Sequence, residues 1–401
     1  MTETAKPSFE PGVAAAEGMI PLCIPEVRGR EWEYIKECLD TNWLSSVGPF
    51  VDRFERMIAR YVGRRFAIAT ASGTAALHVA LLAGGVKPED EVLVSTLTFI
   101  GPANAIRYVG AWPVFIDAEP LTWEMDVERL VAFIEQKCCW KNGVLINVTT
   151  GRPVTALLPV HILGHPVDMD PLLEVARKYQ LVVIEDAAQS LGARYKGSPV
   201  GQLGDIACFS FNGNKIITTG GGGMVVTDNE VWAQRLKYFT TQAKDDPLEY
   251  IHNEIGFNYR LSNIQAAMGC AQLEKLDEYI SAKRRLAELY SEALGAIPGV
   301  TPMPEAPWAF GTFWMYTILV DEDRFGIGSR ELLHKLAANG VQTRPLWQPL
   351  HRSKAHQNCS ASGGRVAEAL NRDALSLPSS VGLDPDAVFK VARLIRASCQ
   401  A

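Results

Sequence analysis

CFSFNGNKIITTGGGGM, residues Cys208–Met224, decides how the rest of the chain is read. The apolar run 206–211 has the character of a buried strand, and it gives way to a turn, a single lysine and four consecutive glycines. Lys215 stands between Asn214 and the β-prone Ile216-Ile217-Thr218-Thr219, which places it on or beside a rigid element. A lysine used as a covalent catalyst needs that setting, because desolvation lowers its pKa and makes the neutral amine available. The glycines let a bulky ligand or a facing chain approach the backbone without a Cβ in the way. Taken alone, the stretch fits a surface lysine beside a flexible turn equally well. The flanking sequence separates the two readings.

Upstream, short apolar runs alternate with amphipathic segments. Strands are expected at 66–70, 91–94, 112–117, 144–147, 156–161 and 181–186, with 225–226 closing the series after the glycines. Helices are expected at 28–39, 51–61, 99–109, 127–136, 168–179 and 230–238, with another opening at Ser72-Gly73-Thr74. Continuously apolar strands alternating with helices indicate a mostly parallel sheet covered on both faces. Ligands of such sheets sit at the carboxyl ends of the strands. Gly73, Phe99, His161, Asp186 and Lys215 all fall at or just beyond such ends. At Ser72-Gly73-Thr74 a strand runs into a helix, so free N–H groups, a helix dipole and hydroxyls converge as an anion site would require. The same residues also serve as a plain helix cap. Asp186, at the mouth of an apolar strand, reads either as an N-cap or as a carboxylate holding a protonated ring nitrogen.

Downstream, a long helix is expected over 263–296, then a proline-rich boundary at 298–307. Beyond it come a strand (312–320), a helix (329–339), a short strand (341–344) and helices near 364–375 and 384–398, an α+β lobe. The division expected is a loose tail (1–18), a large domain (19–262), a connecting helix (263–296) and a small C-terminal domain (297–401). A length of 401 residues suits one large α/β domain plus a smaller one. The net charge of −6 and the absence of a basic run argue against nucleic acid as a partner. No apolar stretch is long enough for a spanning helix, and the first residues lack the pattern of a signal peptide. Eight cysteines without C-x-x-C spacing suggest reduced thiols in a cytoplasmic protein and no metal site.

Seven blocks, in order, carry a resemblance to a known family: WLSSVGPFVDRFE (43–55), ATASGTAALHVAL (69–81), EVLVSTLTFIGPANAI (91–106), PVHILGHPVDMD (159–170), VIEDAAQSLGARYKG (183–197), GDIACFSFNGNKIITTGGGGM (204–224) and GFNYRLSNIQAAMGCAQLEKLD (256–277). Together they resemble the DegT/DnrJ/StrS sugar aminotransferases, homodimeric enzymes of fold type I that depend on pyridoxal 5′-phosphate. The resemblance implies a mostly parallel seven-stranded sheet in the large domain and a smaller α+β domain. It implies that Lys215 carries the cofactor and shuttles the proton between its C4′ and the substrate carbon. Asp186 would pair with the pyridinium nitrogen, Gln189 would face the ring's phenolic oxygen, and Phe99 would stack on the ring. Gly73, Thr74 and Ser210 would hold the phosphate, joined by Asn258 from the partner subunit, with His161 near the ring.

The implied reaction moves an amino group from L-glutamate to the C4 keto group of a nucleotide-linked 4-keto-6-deoxysugar. The run SFNGNKIITTGGGGM, with Gly221 where many relatives carry Glu, resembles enzymes acting on UDP-linked N-acetylhexosamines on routes to legionaminic-acid or bacillosamine-type sugars. GDP-linked 4-keto-6-deoxymannose and dTDP-linked keto sugars stand as alternatives. Trp43, Ser45, Arg260, Trp347 and His351 are the candidates for holding the sugar nucleotide. Trp347, set among prolines, fits interface packing as well as stacking on a base. Two rivals are a dehydratase on the same fold, whose relatives replace the lysine by histidine, and a cofactor-binding sensor without chemistry. The intact Lys215, Asp186 and Ser72-Gly73-Thr74 set argues against both.

Overall fold

The computed structural model describes residues 18–246 and 248–400. The expected loose tail therefore lies outside the described residues, apart from Gly18. The strands in chain order are β1 (Phe66–Thr70), β2 (Glu91–Ser95), β3 (Trp112–Ile116), β4 (Cys138–Lys141), β5 (Val144–Asn147), β6 (Pro153–Leu158) and β7 (Val182–Asp186). A small hairpin of β8 (Arg194–Tyr195) and β9 (Ser198–Pro199) precedes β10 (Ile206–Ser210) and β11 (Gly223–Thr227). The remainder holds β12 (Val300–Pro302), β13 (Ala309–Phe310), β14 (Thr317–Val320), β15 (Arg344–Pro345), β16 (Ser360–Ser362) and β17 (Ala374–Ser376).

The main sheet runs β1-β11-β10-β7-β6-β2-β3-β16. Its first seven members are the expected mostly parallel sheet; β11 alone among them is antiparallel to its neighbours. Three further strands enlarge it to ten, and two of them carry no strand signal in the sequence: β4, β5's hairpin partner, extends one side, while β16 lies parallel to β3 at the edge. The expected strand 144–147 is present as β5, but its pairing onto β6 is antiparallel. All five residues of β2 and of β11 are buried, as a sheet covered on both faces requires.

One face packs against helices Gly73–Ala83 and Gly101–Tyr108, and the other carries Val127–Lys137 and Met169–Lys178. Helices Pro49–Val62 and Asn263–Leu273 close the β1 side around Phe54, Phe209 and Phe211. A further cluster joins helix Leu276–Leu294 to β14, Ser329–Ala338 and Pro385–Ser398.

Several expectations need correction. The helix expected over 263–296 is two, Asn263–Leu273 and Leu276–Leu294, interrupted at Glu274 and Lys275. The apolar spacing continues across that break, so periodicity could not reveal it. The strand expected over 312–320 is regular only from Thr317, because Phe313 takes a left-handed φ of 48° and turns the chain. Residues 341–344 contribute an isolated bridge from Val341 to Ile20 and the two-residue β15. Asp186 caps no helix: a turn follows it, with the Ala188 N–H donating to its Oδ1 at 3.0 Å.

Candidate functional site

Because β1, β10, β7, β6 and β2 point the same way, their carboxyl ends bring Gly73, Lys215, Asp186, His161 and Phe99 to one edge of the sheet. Asp186 pairs across to Cys208 in β10, and Lys215 follows five residues after β10 ends. The Lys215 N–H donates to the Asn212 carbonyl at 3.0 Å, which fixes the turn that carries it. Lys215 is half-buried, and burial pulls its pKa down to about 8 against the opposing pull of Asp186 and Cys23. The ring of Trp314 lies 4.0 Å from Nζ.

Asp186 is buried at 4% exposure, and burial pushes its carboxyl above the usual carboxylate range despite the Ala188 N–H and the nearby Lys215. A carboxylate so placed is short of a cationic partner. The Gln189 amide accepts from the Leu163 N–H at 2.8 Å, and its NH2 has no partner among the described residues.

Ser72 caps helix Gly73–Ala83 by accepting from the Ala75 N–H, so the capping reading of this motif is correct. The N–H groups of Gly73 and Thr74 nevertheless have no partner among the described residues. A Cβ on Gly73 would meet the Ser210 Cβ at 2.8 Å. Glycine is thus what brings the helix start and the end of β10 together, with the Ser210 hydroxyl beside free amides. Phe99 is 58% exposed at this edge, an unusual position for a large aromatic side chain that has nothing to cover.

These residues fit pyridoxal phosphate by their chemistry. A deep carboxylate lacking a cation suits a protonated ring nitrogen, and unpaired amides at a helix start suit a phosphate. Lys215 offers an amine that neutral pH leaves partly uncharged. Among the described residues no group of three or more His, Cys, Asp or Glu is gathered in a way that suits a metal ion.

Other candidates land differently. His161 has no exposure, and both ring nitrogens are committed: Nε2 lies 3.0 Å from Glu185, and Nδ1 accepts from the Val167 N–H at 3.0 Å. It therefore underlies Asp186, its N–H donating to the Asp186 carbonyl at 3.1 Å, with no ring nitrogen left for a cofactor. His351 is similarly spent, on Thr96 Oγ1 at 2.8 Å and Glu368 at 3.0 Å. Trp347 is half-buried against the main core of its own chain, its carbonyl accepting from Asn371. Asn258 is exposed, on the segment whose Tyr259 carbonyl accepts from the Ala71 N–H. Trp43 and Arg260 line one cavity of about 370 Å³ together with Glu55 and Lys237. Ser45 is exposed, its carbonyl held by the Asn263 N–H. A cavity of about 800 Å³ opens elsewhere, among Glu119, Leu121, Glu128, Glu135 and Trp308, and no residue of the Lys215 site lines it.

Sequence reading missed two positioning residues. Asn263 is fully buried and pins the 43–50 loop through the Trp43 carbonyl, the Ser45 carbonyl and the Phe50 N–H. Trp314 was absorbed into an expected strand, and nothing local marked it as facing Lys215.

The family model described as the DegT/DnrJ/EryC1/StrS aminotransferase family matches residues 25–396. A protein of Caulobacter vibrioides named GDP-perosamine synthase is 41% identical, over 91% of this chain and 94% of its own. One of the same name from Escherichia coli O157:H7 is 40% identical, over 94% of this chain and 97% of its own. Among solved structures, a DegT DnrJ EryC1 StrS aminotransferase from Brucella abortus is 29% identical with a TM-score of 0.84, covering 93% of this chain and 96% of that one.

Proposed function

The chain belongs to the DegT/DnrJ/EryC1/StrS aminotransferase family and is a pyridoxal-phosphate-dependent sugar aminotransferase; from that premise we propose that it transfers an amino group from L-glutamate to the C4 keto group of a GDP-linked 4-keto-6-deoxysugar. The half-buried Lys215 amine, brought with Asp186 to the carboxyl edge of the parallel strands, is the observation that carries the reading. The names of the two relatives at 40% identity or more support GDP as the nucleotide. The UDP-linked reading rests on the glycine run with Gly221 and is the second candidate.

When bound, the cofactor supplies a ring that accepts the electron pair left as a proton leaves the substrate carbon. Lys215 would hold it covalently, and its free Nζ is placed to take up and give back that proton. Asp186 would keep the ring nitrogen protonated. The Gly73 and Thr74 amides and the Ser210 hydroxyl would hold the phosphate, Gln189 would donate to the ring oxygen, and Phe99 would cover a face. Substrate contacts are assigned to Trp43, Ser45 and Arg260; the role of His351 is to fix the neighbouring loop. We assign the enzyme to the cytoplasm, in keeping with eight cysteines that are all free thiols. No helix of the described residues is long and apolar enough to cross a membrane.

A homodimer completes the site in this reading. Leu248 and Ile255 are 85% and 84% exposed on the segment leading to Asn258, an apolar face that a second copy would cover.

The test is the visible absorption of the purified holoenzyme. L-glutamate is expected to discharge the band of the lysine-bound cofactor, and the GDP-linked keto sugar to restore it faster than its UDP or dTDP counterparts. Lys215→Ala is expected to lose the band and all turnover while retaining the fold. A band unmoved by glutamate overturns the donor assignment, and fastest restoration by a UDP-linked sugar overturns the GDP assignment.

A further inference from the structure

Residues 311–316 cross the site as a strap, clamped from several directions. Trp314, 4% exposed, lays its ring on the Lys215 amine, and its Nε1–H donates to the Asn214 carbonyl at 2.6 Å. The indole is thus tied to the residue preceding the lysine it covers. The Thr312 N–H donates to the Gly164 carbonyl at 2.9 Å, and the Tyr316 N–H to Ser379 Oγ at 2.9 Å. Gly164 has a φ of 94°, and a Cβ there would come within 2.8 Å of the Trp314 nitrogen, so the loop after β6 meets the strap backbone to backbone. Phe313, beside Trp314, sits at a φ of 48°, a costly conformation for a bulky residue that persists only where surrounding contacts enforce it.

Lys283 is the least expected part of the clamp. It lies on helix Leu276–Leu294 at 1% exposure, and its Nζ donates to the Trp314 carbonyl at 2.8 Å and to the Ser379 carbonyl. No carboxylate among the described residues pairs with it; its other neighbour is the Cys23 sulfur at 4.0 Å. Burying an ammonium without a counter-charge is expensive, and an apolar side chain would fill the same space at less cost. What an apolar residue could not do is hold two carbonyls, one of them that of Trp314.

We propose that Lys283 is a positioning residue for Lys215: by gripping the Trp314 carbonyl it holds the strap so that the indole face forms the resting place of the free Lys215 amine. The proposal rests on the reading of Lys215 as the reacting lysine. An indole acts on such an amine in two opposed ways, attracting its charged form and keeping water from it. The groups facing Lys215 are Asp186 from β7, Cys23 from the extended N-terminal segment and Trp314 from the strap, so the strap is the element that governs access of water from its side.

The test uses the cofactor-free full chain. Competitive acetylation with acetic anhydride, read at Lys215 by peptide mass spectrometry across neutral to alkaline pH, gives the titration midpoint of that one amine. The wild-type midpoint is expected at about 8. Lys283→Met and Trp314→Ala are each expected to raise it by about one unit as water gains access, whereas Trp314→Phe keeps an aromatic face and stays within about 0.3 unit of wild type. A lysine that only supports the fold would lower the urea midpoint of Lys283→Met and leave the Lys215 titration in place, and that result overturns the proposal. Should Lys283→Met not fold, an unchanged midpoint in Trp314→Ala overturns it equally. Failure of the underlying reading shows separately, as Lys215 remaining open to acetylation when pyridoxal phosphate is added to the wild-type chain.

Discussion

Two hydrogen-bonded histidine–carboxylate pairs stand near the site among the described residues, His161–Glu185 beneath it and His351–Glu368 at its rim. Both histidines are site candidates by sequence, and each spends both ring nitrogens on protein. Their surroundings differ completely. The side chains of His161 and Glu185 have no exposure, whereas those of His351 and Glu368 are 12% and 46% exposed. Glu185 precedes Asp186 on β7, and alternation along the strand turns the two carboxylates to opposite faces. Asp186 faces the site; Glu185 accepts from His161 and from the amides of Gly201, Leu203 and Gly204 at 2.9, 3.0 and 2.6 Å. The deep pair is therefore the footing of the strand end that carries Asp186. The rim pair ties one loop to one helix. A histidine beside a carboxylate does not mark catalysis; a free nitrogen in reach of substrate would, and neither histidine has one.

Breaking the deep pair carries the largest expected effect. Glu185→Ala leaves His161 Nε2–H and three amides without an acceptor, at a cost of about 3–5 kcal/mol. Urea unfolding measures it, and a loss below about 1 kcal/mol would mean that the amides find other partners. The next effect is a pH dependence. Burial pushes the Glu185 carboxyl up, but the hydrogen bond from His161 and the amides of Gly204 and Gly201 outweigh it, so the net shift is downward. A depressed folded pKa contributes stability above the unfolded value, near 4.5, that is lost as pH falls through the folded one. Glu185→Gln is expected to start less stable at pH 7, since its NH2 opposes two donors, and to lose part of the wild-type acid slope below that value. An unchanged slope would assign the acid sensitivity to other carboxyls.

The same contrast marks what the sequence could show. β1 is legible to the residue, because an apolar run is bounded by Arg65 on one side and a helix-starting Ser72-Gly73-Thr74 on the other. β16 is not: Ser360, Ala361 and Ser362 carry no apolar signal, and their strand exists through backbone pairing with β3 alone. At the site, Lys215, Asp186 and Gly73 each announce themselves through neighbours in sequence, and the sheet gathers them at one edge. Trp314 and Asn263 act on Asn214 and Trp43, partners 100 and 220 positions away. No local pattern encodes such contacts. The commitment of the two histidine rings is equally non-local, so nothing in the sequence shows that their nitrogens are already occupied.

Breaking the rim pair sharpens the comparison from its weak end. His351→Ala removes the 2.8 Å bond to Thr96 Oγ1, yet Leu350 still donates to the Thr96 carbonyl and holds the loop to the end of β2. The expected loss is about 1 kcal/mol or less. Glu368 is held below its usual range chiefly by the His351 hydrogen bond, but it stands in water, where salt screens the pair. Glu368→Gln should leave the urea midpoint where it is, at low salt as at high. KM for the sugar nucleotide should also stay near wild type in His351→Ala, since the ring has no nitrogen to give to a substrate. A large rise in KM with unchanged kcat would show that His351 leaves Thr96 or Glu368 when substrate binds, and would return it to the substrate contacts.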